Sequence, residues 1–170
     1  MEEDTYTIEA IQWLTQASEQ EWLLFVCSSN YDFNPDVTKW MATNEKCTRS
    51  VALALYWRLE PQYYCQFSVV EDTPEWAREI YTVVKTIEQL YLSRQYAEGE
   101  IEFDPKNDPA PIGDPALPGY DWTEEANTNT CIPEVMFNTV PGRQVDVVGL
   151  TDDWVEGLPP HIAQIVFPEG

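Results

Sequence analysis

Along the first hundred residues apolar side chains recur at the three- and four-residue steps of a helix. Ile8, Ile11 and Leu14 step by three, and Ala17 completes the stripe. Ser18-Glu19-Gln20-Glu21 has the S-x-x-E form of a capping box, set directly before the apolar run at 22–27. That run is apolar on nearly all sides, so a buried helix of about ten residues fits it better than a strand. The segment 28–32 interrupts the pattern. Asn34-Pro35 restarts it, with Asn as N-cap and Pro at the first helical position, and predicts a short helix over 35–42. A turn at 43–46 leads to Thr48 and to Val51, Leu55 and Leu59 at four-residue steps, a helix that Pro61 must end. Asp72-Thr73-Pro74-Glu75 opens the clearest amphipathic segment. From there to Tyr96, the residues Trp76, Ile80, Val83, Val84, Ile87, Leu90 and Tyr91 share one stripe over about six turns.

After Gly99 the periodicity is lost. Residues 104–120, DPKNDPAPIGDPALPGY, carry five prolines and exclude a regular helix. An irregular or polyproline-like path over the surface is expected instead. Trp122, Ile132, Val135, Met136, Phe137, Val147, Val148, Trp154, Ile162, Ile165, Val166 and Phe167 still give this half much to bury. The expected architecture is mainly α. A helical domain of about five helices covers 1–103, and an acidic, Pro-rich, loop-rich extension covers 104–170, docked on the helices. The extension carries at most a few short strands, with 144–150 (QVDVVGL) and 162–167 as the candidates.

Charge changes the picture most. Thirty acidic residues stand against nine Lys and Arg, a formal net charge of -21. The segment 101–170 alone holds thirteen acids against Lys106 and Arg143. Such an imbalance says little about fold and much about partners. Nucleic-acid phosphate and anionic lipid would be repelled, which excludes direct nucleic-acid binding and membrane association. A basic protein is the natural complement. The start, MEEDTYTIEA, lacks the basic and apolar stretches of a secretory signal, and no apolar run reaches membrane-spanning length, so a cytoplasmic protein is expected. Cys27, Cys47, Cys65 and Cys131 form no C-x-x-C pair and are read as reduced thiols of a cytosolic protein, a disulfide being open only to an exported one.

Residues 30–67, beginning NYDFNPDVTKWMATNEKCTRSVALALYWRLEPQYY, carry an N-[WY]-D motif, a short helix, an N-x-x-C turn, and an Ala- and Leu-rich helix ending in aromatics. This order, with Asn30, Asp32, Asn44 and Cys47 as landmarks, resembles the bacterial family of the domain of unknown function 4274. The stretch from Tyr96 to Ile101-Glu102-Phe103-Asp104-Pro105 is similar to the family's closing segment, so the resemblance covers roughly residues 20–105. Thr48 stands where the family usually has an acid, and a threonine still caps a helix. The resemblance implies a helical fold and a bacterial origin, and it supplies no reaction and no catalytic residues.

Little in the chain suggests chemistry. The single histidine, His161, has no cysteine near it in sequence, and no zinc spacing, GxSxG, GxGxxG or Walker pattern occurs. The pairs Asp32/Asp36, Asp104/Asp108 and Asp152/Asp153 are of the kind that chance produces at this acid content, and Asp32 reads as a turn residue. The chain is therefore expected to be no enzyme, with no catalytic residue, cofactor or metal. Two clusters stand out, Tyr120-Asp121-Trp122-Thr123-Glu124-Glu125 and Thr151-Asp152-Asp153-Trp154-Val155-Glu156, each setting a tryptophan among carboxylates. Tryptophan is a favoured interface anchor and carboxylates steer a basic partner. Trp122, Glu124, Glu125, Asp152, Asp153, Trp154 and Glu156 are thus the candidate contacts. The function expected is an immunity- or antitoxin-type inhibitor that occludes a toxin's active site or the surface by which substrate enters. A nucleic-acid mimic, of the kind phages direct at host DNA- or RNA-binding proteins, is the alternative. It wants a regular acidic stripe, whereas these acids fall singly and in pairs.

Overall fold

A computed structural model of the chain describes residues 3–31, 34–108, 119–124, 126 and 131–169. It is mainly helical. The helices are α1 (Glu3–Gln16), α2 (Glu19–Ser28), α3 (Pro35–Thr43), α4 (Arg49–Arg58), the single turn α5 (Pro61–Tyr64), α6 (Arg78–Leu92) and α7 (Pro160–Val166). α4 is the axis of the fold. Every residue from Ser50 to Trp57 is buried, as a helix apolar all round requires. α2 and α6 pack on α4, α3 packs on α6, and α1 packs on α3 and α7. One buried cluster runs from Tyr6 to Val166 and joins both halves of the chain.

The local signals at the helix ends hold except at Asn34, which stands ahead of α3 but whose side chain caps no backbone N–H and instead accepts the Thr38 hydroxyl at 3.2 Å. Ser18 Oγ accepts the Glu21 N–H at 3.2 Å while Glu21 Oε1 accepts the Ser18 N–H at 3.0 Å, a complete capping box. Thr48 Oγ1 accepts the Val51 N–H and starts α4. The N-x-x-C turn is built by Asn44. Its carbonyl accepts the Cys47 N–H at 3.0 Å and its side chain accepts the Lys46 N–H at 2.9 Å. Lys46 then places its ammonium on the carbonyls of Thr15 and Ala17, at 2.7 and 2.9 Å, where α1 ends with bare acceptors.

Three expectations are corrected. The buried face of α1 is Tyr6, Ala10, Trp13 and Leu14, and Ile8 points to solvent at 53% exposure, because the larger rings set the rotation of the helix. Neither strand candidate is a strand. The segment at 162–167 lies largely in α7, which Pro160 opens as an N1 residue and which buries Ala163 and Val166 one turn apart. Residues 144–147 run without ladder partners, and 148–150 form a turn around Gly149. The four-thiol reading fails for one pair. Cys65, just after α5, is joined to Cys131 in a disulfide with Cα atoms 5.4 Å apart, and Cys27 and Cys47 stay free.

The extension is tied down by single polar contacts and isolated bridges. Phe103 and Val140 exchange backbone hydrogen bonds at 3.1 and 2.9 Å, and Ile101 pairs with Arg143. Ser50 Oγ donates to the Ile101 carbonyl and Trp57 Nε1 to that of Met136, at 2.5 and 2.9 Å. Asp108 and Tyr120 close the Pro-rich segment as an antiparallel bridge. Among the described residues no helix is long and apolar enough to cross a membrane.

Candidate functional site

Of the two acid–aromatic clusters, the first is built inward. Trp122 is buried, and its indole N–H donates to Asp108 Oδ2 at 2.9 Å. Arg58, at the end of α4, donates to the same oxygen at 2.8 Å, and its guanidinium carbon lies 5.5 Å from the centre of the Trp122 ring. The Arg58 and Asp108 side chains are 8% and 0% exposed, so this is a buried ion pair shared with an indole. Arg58 also donates to the Cys27 carbonyl at 3.2 Å. Burial pushes the Cys27 thiol up to about 12, against the opposing pull of Arg58. Cys27 is therefore a protonated thiol at neutral pH and not a nucleophile. Glu124 is exposed, and Glu125 lies outside the described residues, as does Asp32.

The second cluster is pinned from one side. Trp154 meets the edge of Trp13 with centroids 5.6 Å apart and planes at 80°. Asp152 and Asp153 are exposed, whereas Glu156 is half-buried. The Glu156 carbonyl accepts the Tyr6 hydroxyl at 2.7 Å, and burial pushes that phenol up to about 12. Gly157, at φ 85°, must be glycine, because a Cβ there would lie 2.6 Å from Ser29 Oγ and 3.0 Å from the Phe25 ring. The first cluster thus meets the end of α4 at Arg58, which itself bonds the Cys27 carbonyl of α2, and the second docks against Phe25 and Ser29 at the end of α2. The tryptophans serve packing inside the molecule, and Glu124, Asp152 and Asp153 are the members turned to solvent. His161 is exposed on α7. Among the described residues no group of three or more His, Cys, Asp and Glu is placed to hold a metal ion.

A cleft of 460 Å³ lies elsewhere, bounded by the end of α4, α5 and the start of α6. Just past α4 and its cap Leu59 stands Glu60, whose φ of 55° places it in the left-handed region where a helix normally uses glycine, and Pro61 then opens α5. α5 presents Tyr63 and Tyr64, with rings 5.0 Å apart at 90°. Burial, then the neighbouring Tyr63 and Glu60, pushes the Tyr64 phenol up to about 12. Trp76 leans on Tyr63, with centroids 5.9 Å apart and planes at 31°. The sequence periodicity predicts Trp76 in the buried stripe of α6, and the structure places it outside that stripe. It sits in a 3₁₀ turn, Glu75–Ala77, ahead of the helix and is 75% exposed. Pro74 was the available signal: it supports an opening turn of other geometry, which swings the next residues out of the α-helical phase. Glu60 and Glu79 flank this cleft, and Arg58 forms part of its wall. Aromatic faces and exposed carboxylates thus line this cleft.

No curated protein and no solved structure matches the chain. The cleft lies within a segment that does find a match, and both acid–aromatic clusters lie beyond its end. Residues 17–92, from the close of α1 to the end of α6, match the model of a family described as Domain of unknown function (DUF4274).

Proposed function

We propose that this chain is an acidic protein-binding inhibitor of the immunity or antitoxin type. It neutralises a bacterial toxin by covering its active site or the surface through which substrate enters. The observation that carries this reading is the disposition of charge. Among the described residues only Arg49–Glu98, Arg58–Asp108 and Lys85–Glu88 form ion pairs, while Glu124, Asp152, Asp153, Asp146 and Glu134 are exposed on the extension. The extension holds these anions on a backbone fixed to the core by Trp122 and Trp154. Anions on an ordered surface raise the association rate with a basic partner and fix its orientation. The compartment in this reading is the cytoplasm, which makes a specific demand. Disulfides are rare there, so the extension must stay docked with Cys65 and Cys131 reduced. The edge contact of Trp57 with Phe137 and its hydrogen bond to the Met136 carbonyl lie close in sequence to Cys131 and supply that hold.

The test is to identify the products of the genes beside this one and to titrate the purified chain against any basic toxin among them. Affinity is expected to fall at least tenfold, an order-of-magnitude figure, between low and high salt as the exposed charges are screened. An affinity indifferent to salt overturns the reading.

A further inference from the structure

Large aromatic side chains at 75% exposure are uncommon on a domain with this much core, and Trp76 is held there by Tyr63 and the turn that carries it. Three features of its cleft converge on one ligand chemistry. The first is the ring system: Trp76 rests partly on Tyr63 and leaves most of its indole to solvent. The second is charge. Glu60 and Glu79 are exposed beside it and neither is in an ion pair among the described residues. Arg58 in the wall does not offset them, since Asp108 neutralises it at 2.8 Å and its side chain is 8% exposed. The third is backbone. Glu60 occupies a left-handed conformation where glycine would be free of strain, so a carboxylate is kept at the rim against local preference.

An indole face attracts a cation, and among cations a guanidinium adds a planar surface for stacking and a fork for carboxylate oxygens. We infer that this cleft is the seat of an arginine side chain from the basic protein partner. The inference rests on the reading of a cationic partner and deepens it by naming the group recognised and the place where it lands. The acidic extension attracts the partner, and the cleft holds one residue of it.

The experiment uses the whole chain with ¹⁵N-labelled indoles, the Trp76 Nε1 signal being identified by its loss in Trp76→Phe. N-acetyl-arginine amide is titrated against N-acetyl-citrulline amide, which has the same shape without the charge. The expected result is a saturable shift of the Trp76 signal with the arginine probe alone, weakened several-fold in Glu79→Gln. A shift of equal size with citrulline, or no shift with either, overturns the inference. In the complex, Trp76→Ala is expected to weaken binding about tenfold, as loss of an interface anchor does. If binding is salt-sensitive but indifferent to Trp76→Ala, the cleft proposal fails and the cationic-partner reading stands. If the chain binds no basic partner yet the arginine probe shifts Trp76, that reading fails and the cleft's preference for guanidinium is retained.

Discussion

The matched helical segment and the extension beyond it solve the same problem by different means. α4 is buried end to end by apolar contact with α2 and α6, and its position follows from dispersion and water exclusion spread over many side chains. The extension has few regular elements among its described residues and is fixed at points: an indole on a buried carboxylate, a serine and a tryptophan on carbonyls, a carbonyl on a tyrosine, one disulfide. Distributed packing tolerates small losses, whereas point anchoring concentrates stability in a handful of groups. The extension should therefore respond to single substitutions more sharply than its share of the core suggests.

The strongest way to break this comparison is Asp108→Ala. It strands the Arg58 guanidinium in a buried site and removes the acceptor of Trp122, with an expected loss of about 3–5 kcal/mol in denaturant unfolding. A loss below about 1 kcal/mol would mean that the junction is hydrated and that the extension is held by packing after all. Next is Cys131→Ser. Opening a cross-link between residues 66 apart should cost about 2–4 kcal/mol under oxidising conditions and nothing under reducing ones. Equal melting curves with and without reductant in the parent chain would show that the other anchors suffice. The smallest change sharpens the helical side. Glu60→Gly relieves a left-handed non-glycine residue at φ 55° and is expected to raise stability by about 1 kcal/mol in thermal unfolding. A decrease would show that the Glu60 side chain makes a compensating contact.

The same contrast governs what could be read from the residues alone. The helical half was legible because its signals are local: Ser18 with Glu21, Asn34 with Pro35, Thr48 ahead of an apolar run, Pro61 as a stop. Each acts within a few residues of the element it sets. The exceptions were matters of phase. Ile8 lies on a plausible stripe that larger neighbours rotate outward, and Trp76 stands one turn before the α-helical phase begins. The extension was legible only in composition. Its contacts join Tyr6 to Glu156, Arg58 to Asp108 and Cys65 to Cys131, pairings of residues 50 to 150 apart in sequence that no local pattern encodes. The 162–167 segment misled because a six-residue apolar run satisfies strand and helix alike, and the Pro-Pro before it was the better guide. The candidate contacts were half legible. Glu124, Asp152 and Asp153 face solvent and Glu156 does not, and a tryptophan between carboxylates does not announce whether it points in or out. The aromatic cleft went unseen because its members come from separate elements.

One acid shows how composition overstates outward charge. Glu19 of α2 turns its carboxylate onto the backbone N–H groups of Glu100 and Ile101, at 2.8 and 3.2 Å, and fills the space a side chain at Gly99 would need. It latches the chain at the exit from the helical segment, as a phosphate might sit in a backbone nest. Replacing Gly99 with any larger residue would unseat it and free that negative charge into solvent. Anions of this sort belong to the scaffold, and a surface potential drawn from sequence totals alone would assign them to the wrong side of the protein.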